Sequence, residues 1–169
     1  MTNPLDLLTE QHQHGLRELD RLDAALSRVQ TSGNLAAELA TIRQAVTFLD
    51  TEVRQHNQIE EDHLFPVLEA TAPGGPIGVM LDEHRELWAA LDALQNSLRK
   101  LAARSTDEAA RDLLLREGLH ICDLLRNHIA KEENILFPSA RECLTPSQLE
   151  RISWAMEGEA SEEYKRRDT

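Results

Sequence analysis

The sequence predicts an all-α protein: an up-down-up-down four-helix bundle followed by a short fifth helix. Three observations carry this. Ala, Leu, Glu, Arg and Gln dominate the 169 residues, while aromatics are 4% and there are only 7 Gly and 6 Pro. Apolar residues recur at helical spacing through four long runs separated by short breaks. One pattern occurs twice, 72 positions apart: His12, His56, Glu60, Glu61 and Leu64-Phe65-Pro66 return as His84, His128, Glu132, Glu133 and Leu136-Phe137-Pro138.

The first helix is expected to start at Pro4 or Leu5, with Asn3 as its cap and proline in its favoured first position. Leu5, Leu8, His12, Leu16, Leu19, Leu22 and Leu26 form its stripe, and the chain breaks near Thr31-Ser32-Gly33-Asn34. The second runs from about Leu35 to about Ala70, with Leu39, Ile42, Val46, Leu49, Val53, His56, Glu60, His63 and Val67 inward. Ala72-Pro73-Gly74-Gly75-Pro76 is the clearest interruption. A third helix spans about Pro76 to Ala103, with Met80, His84, Leu87, Trp88, Leu91, Leu94 and Leu98 on one face. Ser105 to Glu108 reads as a capping box opening a fourth, which carries Leu114, His128 and Glu132 and reaches about Ala140. Thr145 to Gln148 is a second capping box. It opens a shorter helix with Leu149, Ile152, Trp154 and Met156, over about 146–164. The whole is expected to be one domain, 1–169, with its bundle at about 4–140. The 72–76 break lies between two helical hairpins, so duplication of one hairpin accounts for the repeat.

Thirty acidic residues against 18 basic ones give a net charge of -12, which argues against nucleic acid and anionic membrane surfaces as partners. No run approaches the length of a membrane span. The first ten residues have neither a basic segment nor a long apolar one, so no secretory leader is expected. Cys122 and Cys143 are too few for a disulfide framework. A reducing, cytoplasmic setting is the simple expectation.

His and Glu four apart share one face of a helix. Two such pairs, His56/Glu60 and His128/Glu132, with His12 and His84 the same 44 positions before each, can build a site for two metal ions inside a bundle. The repeat decides which histidine of the first helix turns inward. Shifting by 72 pairs His12 with His84, Leu19 with Leu91 and Leu26 with Leu98, whereas His14 would put the leucines out of register. Imidazole and carboxylate together suit iron, manganese or zinc. Glu60 and Glu132 can each bridge two ions, leaving two histidines per ion. With a solvent-derived bridge each ion reaches about five ligands, and a sixth position is open to dioxygen, peroxide or nitric oxide. The bland alternative is a structural polar network. It would leave buried groups unsatisfied at roughly 1–3 kcal/mol or more each.

At these residues, over about 5–140, the sequence resembles the hemerythrin-like family, the HHE cation-binding domains, whose pattern is H…HxxxE…H…HxxxE. The resemblance implies a four-helix bundle holding two iron ions in an oxo- or hydroxo-bridged non-haem centre. Its ligands would be His12, His56, Glu60, His84, His128 and Glu132. Oxygen-carrying members have a further His where Trp88 stands, and Asp where this chain has Glu132, which argues against reversible oxygen carriage. The four-His, two-Glu set looks more like bacterial di-iron proteins tied to nitric oxide and oxidative stress, including iron-centre repair proteins. Those often carry a Cys-containing N-terminal domain with no counterpart in these 169 residues. Three functions fit: a di-iron protein that binds or consumes dioxygen, peroxide or nitric oxide; an iron sensor or buffer without turnover; and a structural bundle that happens to bind metal.

Residues beside the set rank lower. Glu61 and Glu133 lie about 100° off the ligand face, so they are expected to hydrogen-bond imidazole or solvent rather than ligate. Glu52 and Glu83 are candidates for proton relay or for supporting a ligand. Trp88 either opens a coordination position or fills it with its ring. His63 and His120 are expected to be structural, Phe65 and Phe137 core, and Tyr164 outside the bundle stripes.

Overall fold

A computed structural model describes residues 3–167 of the chain, with side chains to residue 158. Five helices account for the described residues, which contain no strand. Helix α1 is Pro4–Ser32, capped by the Asn3 side chain on Leu5 N–H and ended by Gly33, whose φ of 74° only glycine adopts freely. Helix α2 covers residues 35–71, α3 is Ile77–Ala103, α4 covers 108–143 and α5 is Pro146–Arg167. None of them is long and apolar enough to cross a membrane.

The fourth helix starts differently from expectation. Its cap is Asp107, whose carboxylate accepts from Ala110 N–H, not Ser105. An ionised acceptor at the positive end of a helix gains from the helix dipole as well as from the hydrogen bond. The second capping box forms as read: Gln148 Oε1 accepts from Thr145 N–H at 2.8 Å, and Thr145 Oγ1 from Gln148 N–H at 3.4 Å.

Helices α2 and α4 contain wide turns that periodicity could not show. The π-helical turns Glu60–Leu64 and Glu132–Leu136 fall at the same place in both copies, just before Pro66 and Pro138. Phe65 N–H bonds back five residues to Glu60 O, and Phe137 N–H to Glu132 O. A proline has no N–H for the carbonyl four back and its ring crowds that turn, so a wider turn keeps the helix continuous. The added residue rotates the stripe. Beyond Glu60 the buried positions are Leu64, Phe65 and Leu68, while the expected His63 and Val67 are only half-buried. A third π-helical turn, Leu49–Val53, has no counterpart in α4, where 121–125 is regular α-helix.

Packing runs α1 on α2, α1 on α4 and α3 on α4. Gly118 permits a close approach of α4 to α1: a Cβ there would sit 2.6 Å from Leu26 Cδ1. Helix α5 lies on α1 and on the Glu60–Leu64 turn, burying Ile152 and Met156. Trp154 on the same helix is 54% exposed. Two separate apolar clusters result. One includes Leu19, Leu26, Ile42, Leu91, Leu94 and Leu125. The other includes Leu5, Leu8, Leu64, Phe65, Met80 and Phe137. Along α1 and α3 the inward histidine, His12 or His84, falls between a stretch in one cluster and a stretch in the other.

Candidate metal centre

The structure brings together all six residues singled out by the repeat. His12, His56, Glu60, His84, His128 and Glu132 are each at most 7% exposed. They form two quartets, each with its ligand atoms within 4.8 Å of one another: His12, His56, Glu60 and Glu132, and Glu60, His84, His128 and Glu132. The carboxylates are common to both. Glu132 sets Oε2 3.0 Å from His12 Nε2 and Oε1 3.1 Å from His128 Nε2. Glu60 sets Oε1 3.4 Å from His56 Nε2 and Oε2 3.7 Å from His84 Nε2. Each carboxylate thus offers one oxygen to each imidazole pair. Within a pair the Nε2 atoms are 3.0 Å apart, for His12/His56 and for His84/His128 alike.

The outer nitrogens fix the chemistry of the inner ones. His12 Nδ1 is 2.6 Å from Glu133 Oε1, and His84 Nδ1 is 2.6 Å from Glu61 Oε1. His56 Nδ1 is 2.8 Å from Gln11 Oε1, and His128 Nδ1 is 2.9 Å from Glu83 Oε2. All four partners are acceptors, so each Nδ1 carries a hydrogen, and in the neutral ring that a metal requires the Nε2 lone pair would point inward. Two Nε2 lone pairs 3.0 Å apart cannot satisfy each other. The four oxygens of Glu60 and Glu132 are buried without a hydrogen-bond partner. Lone pairs facing lone pairs call for a cation, and the donor set fits the metal that the residues imply.

The electrostatics agree. Burial pushes the His56 imidazole down to about 4 despite the opposing pull of Glu132. Burial, and then the neighbouring Glu132 carboxylate, hold Glu60 well above the usual carboxylate range. Burial also resists ionisation of Glu132, but the adjoining His12 and His128 outweigh it and lower its pKa. At His128 burial resists protonation, yet Glu132 and Glu83 lift it to about 9.

The two copies support each other crosswise. Glu133 of the second copy holds His12 of the first, and Glu61 of the first holds His84 of the second. Phe137 stacks on His12 with ring centroids 5.3 Å apart, and Phe65 on His84 at 5.7 Å. Glu83 supports His128 and is also paired with Lys131. Glu52 is exposed, at the rim of a cavity of about 60 Å³ that reaches His12, His56, His128 and Glu132 past Gly15 and Asn57. The Trp88 ring does not fill a coordination position. It is half-buried in a groove between α2 and α3, under the Arg54 guanidinium at 4.3 Å, and does not line that cavity. His14 is exposed against Phe48, and His120 pairs with Glu86 at the surface. The side chain of Tyr164 lies outside the described residues.

Gln11, Gly15, Asn57 and Lys131 escaped sequence reasoning. A signal existed for Gln11: the 72-residue shift places it on Glu83. Asn57 is 2% exposed with both amide atoms unpartnered, which periodicity alone could not reveal.

Comparison with known proteins bears on this arrangement. The family model described as Hemerythrin HHE cation binding domain matches residues 3–140. The iron-sulfur cluster repair protein YtfE of Dickeya chrysanthemi (strain Ech1591) is 30% identical over 135 residues, covering 78% of this chain and 60% of that protein. Its namesake from Escherichia coli (strain K12 / DH10B) is 29% identical over 98 residues, covering 56% of this chain and 44% of the other. The chain therefore spans about half the length of the curated relatives it matches.

Proposed function

Because the chain belongs to the hemerythrin HHE cation binding domain family, we propose that it is a non-haem di-iron protein acting on dioxygen, peroxide or nitric oxide in the response to oxidative or nitrosative stress. The observation that carries this is the opposed pair of buried carboxylates, each offering one oxygen to each of two imidazole pairs. In this reading Glu60 and Glu132 would be shared by two iron ions, with His12 and His56 holding one and His84 and His128 the other. The helices α1 to α4 form an up-down-up-down bundle, and residues 1–169 a single domain with α5 added. The free cysteines Cys122 and Cys143 support a reducing, cytoplasmic setting. The name of the relatives, iron-sulfur cluster repair, supports the link to stress.

Bound iron would supply one-electron redox chemistry and a place for one small ligand. The chain's own residues do the rest. Glu133, Gln11, Glu61 and Glu83 hold the imidazoles with Nε2 inward. Phe137 and Phe65 stack on His12 and His84 and shield them. The cavity beside Gly15 admits only a molecule of a few atoms. Iron analysis should find two ions per chain with the absorption of a bridged diferric unit; about one zinc and no coloured iron form would refute the assignment. Anaerobically reduced protein mixed with dioxygen, peroxide or nitric oxide should change its spectrum irreversibly with the oxidants and bind nitric oxide. A pressure-reversible change with dioxygen would indicate a carrier. Silence towards all three would favour the second reading, an iron sensor or buffer, to which the same buried ligand set is equally suited.

A further inference from the structure

Asn57 lines the same cavity as His12, His56, His128 and Glu132, yet it belongs to neither quartet. It is 2% exposed, and neither its Oδ1 nor its Nδ2 has a hydrogen-bond partner. A buried amide left in that state destabilises a fold. The 72-residue shift places Ile129 at the equivalent position of the second copy, 5% exposed. An apolar side chain fills the same helical position there, so the bundle has no need of an amide. A polar group that the fold neither requires nor satisfies calls for a partner that enters the cavity.

Resting on the di-iron reading, we propose that Asn57 is a specificity-determining residue that selects hydrogen peroxide over nitric oxide and dioxygen. An amide offers a donor in Nδ2–H and an acceptor in Oδ1. Hydrogen peroxide has two O–H donors and lone pairs on both oxygens, so one molecule donates to Oδ1 and accepts from Nδ2–H. Dioxygen and nitric oxide carry no hydrogen, and either would leave Oδ1 without a partner. Water competes on the same terms as peroxide. The cavity of about 60 Å³ has room for it, since one water needs roughly 10–15 Å³. A ligand that displaces an ordered water loses affinity unless it reproduces the hydrogen bonds, which peroxide does and the diatomic molecules do not. A site built to hydrogen-bond a hydroxyl discriminates strongly against an analogue that lacks one.

The test compares two ligands across variants of one residue. Protein loaded anaerobically with two ferrous ions is mixed rapidly with hydrogen peroxide or with nitric oxide, and the absorbance is followed. Asn57→Leu is similar in shape and removes both hydrogen-bonding groups. Its rate constant with peroxide should fall by roughly tenfold or more, while that with nitric oxide stays the same or rises. Asn57→Ser, whose hydroxyl both donates and accepts, should recover part of the peroxide rate. Free of metal, Asn57→Leu should melt at or above the temperature of the parent protein, because an unpartnered buried amide is gone. A lower melting temperature would make the amide a structural group and overturn the proposal. An unchanged peroxide rate, or equal losses with both ligands, would overturn it as well. Uptake of fewer than two ferrous ions by the parent protein would overturn the di-iron reading itself.

Discussion

His12 and Glu133, 121 residues apart, meet at 2.6 Å through Nδ1 and Oε1, and the same contact recurs between His84 and Glu61. The carboxylate that orients a histidine of one copy is supplied by the other copy. Assembling the imidazole cluster therefore requires both hairpins to be docked, and metal binding is linked to that docking. Removing this support in Glu133→Ala should weaken metal binding by roughly 10–100-fold, read by competition with a chelator of known affinity. An unchanged affinity would show that His12 is held by packing on Phe137 alone.

The bridging residues should behave differently from the supporting ones. Glu60→Ala or Glu132→Ala removes an oxygen from both quartets at once. Each variant is expected to lose at least one ion per chain in metal analysis, whereas Glu133→Ala loses affinity but still fills at high metal. Full stoichiometry in both bridging variants would contradict shared ligation.

Metal removal should lower thermal stability. A ligand bound only by the native state, present at 100 times its dissociation constant, adds about 2.7 kcal/mol. For a chain of this size each kcal/mol moves the melting temperature by about 2–4 °C. Chelation should thus lower Tm by several degrees in calorimetry. Superimposable curves for apo and loaded protein would show that the fold is indifferent to the centre.

Two glycines on opposed helices should respond with opposite sign. Gly118→Val forces its Cβ to within 2.6 Å of Leu26 Cδ1, and Leu26 is fully buried. Overpacking of this kind costs about 1–3 kcal/mol. Gly15→Ala meets open space and gains about 0.5–1 kcal/mol from helix propensity. Urea titration of both variants tests the pair of signs.

The two cysteines should differ in reactivity. Burial, with help from Asp23, pushes the Cys122 thiol up to about 12, so almost none of it is thiolate at pH 8. Cys143 is only half-buried. A thiol reagent should label one site per folded chain, Cys143, and reach Cys122 only in denaturant. Equal labelling rates would mean that α4 opens readily near Cys122.

The sequence by itself determined the helices and the six residues of the cluster. Both are repetitive signals: an apolar stripe every 3.6 residues, and a second copy 72 positions on that singles out His12 over His14 and aligns His84 and His128 with their partners. It could not determine which side chains face those residues across helices. The crosswise support of His12 by Glu133 and of His84 by Glu61 depends on how two hairpins dock. The π-helical turns at Glu60–Leu64 and Glu132–Leu136 move the buried face from His63 to Leu64, a rotation invisible to a fixed period. The placement of Trp88 under Arg54, the cavity beside Gly15, and the contrast of Gln11 with Glu83 belong to tertiary structure for the same reason. Local spacing places a residue on a face of its own helix, but only packing between helices selects the atom it meets.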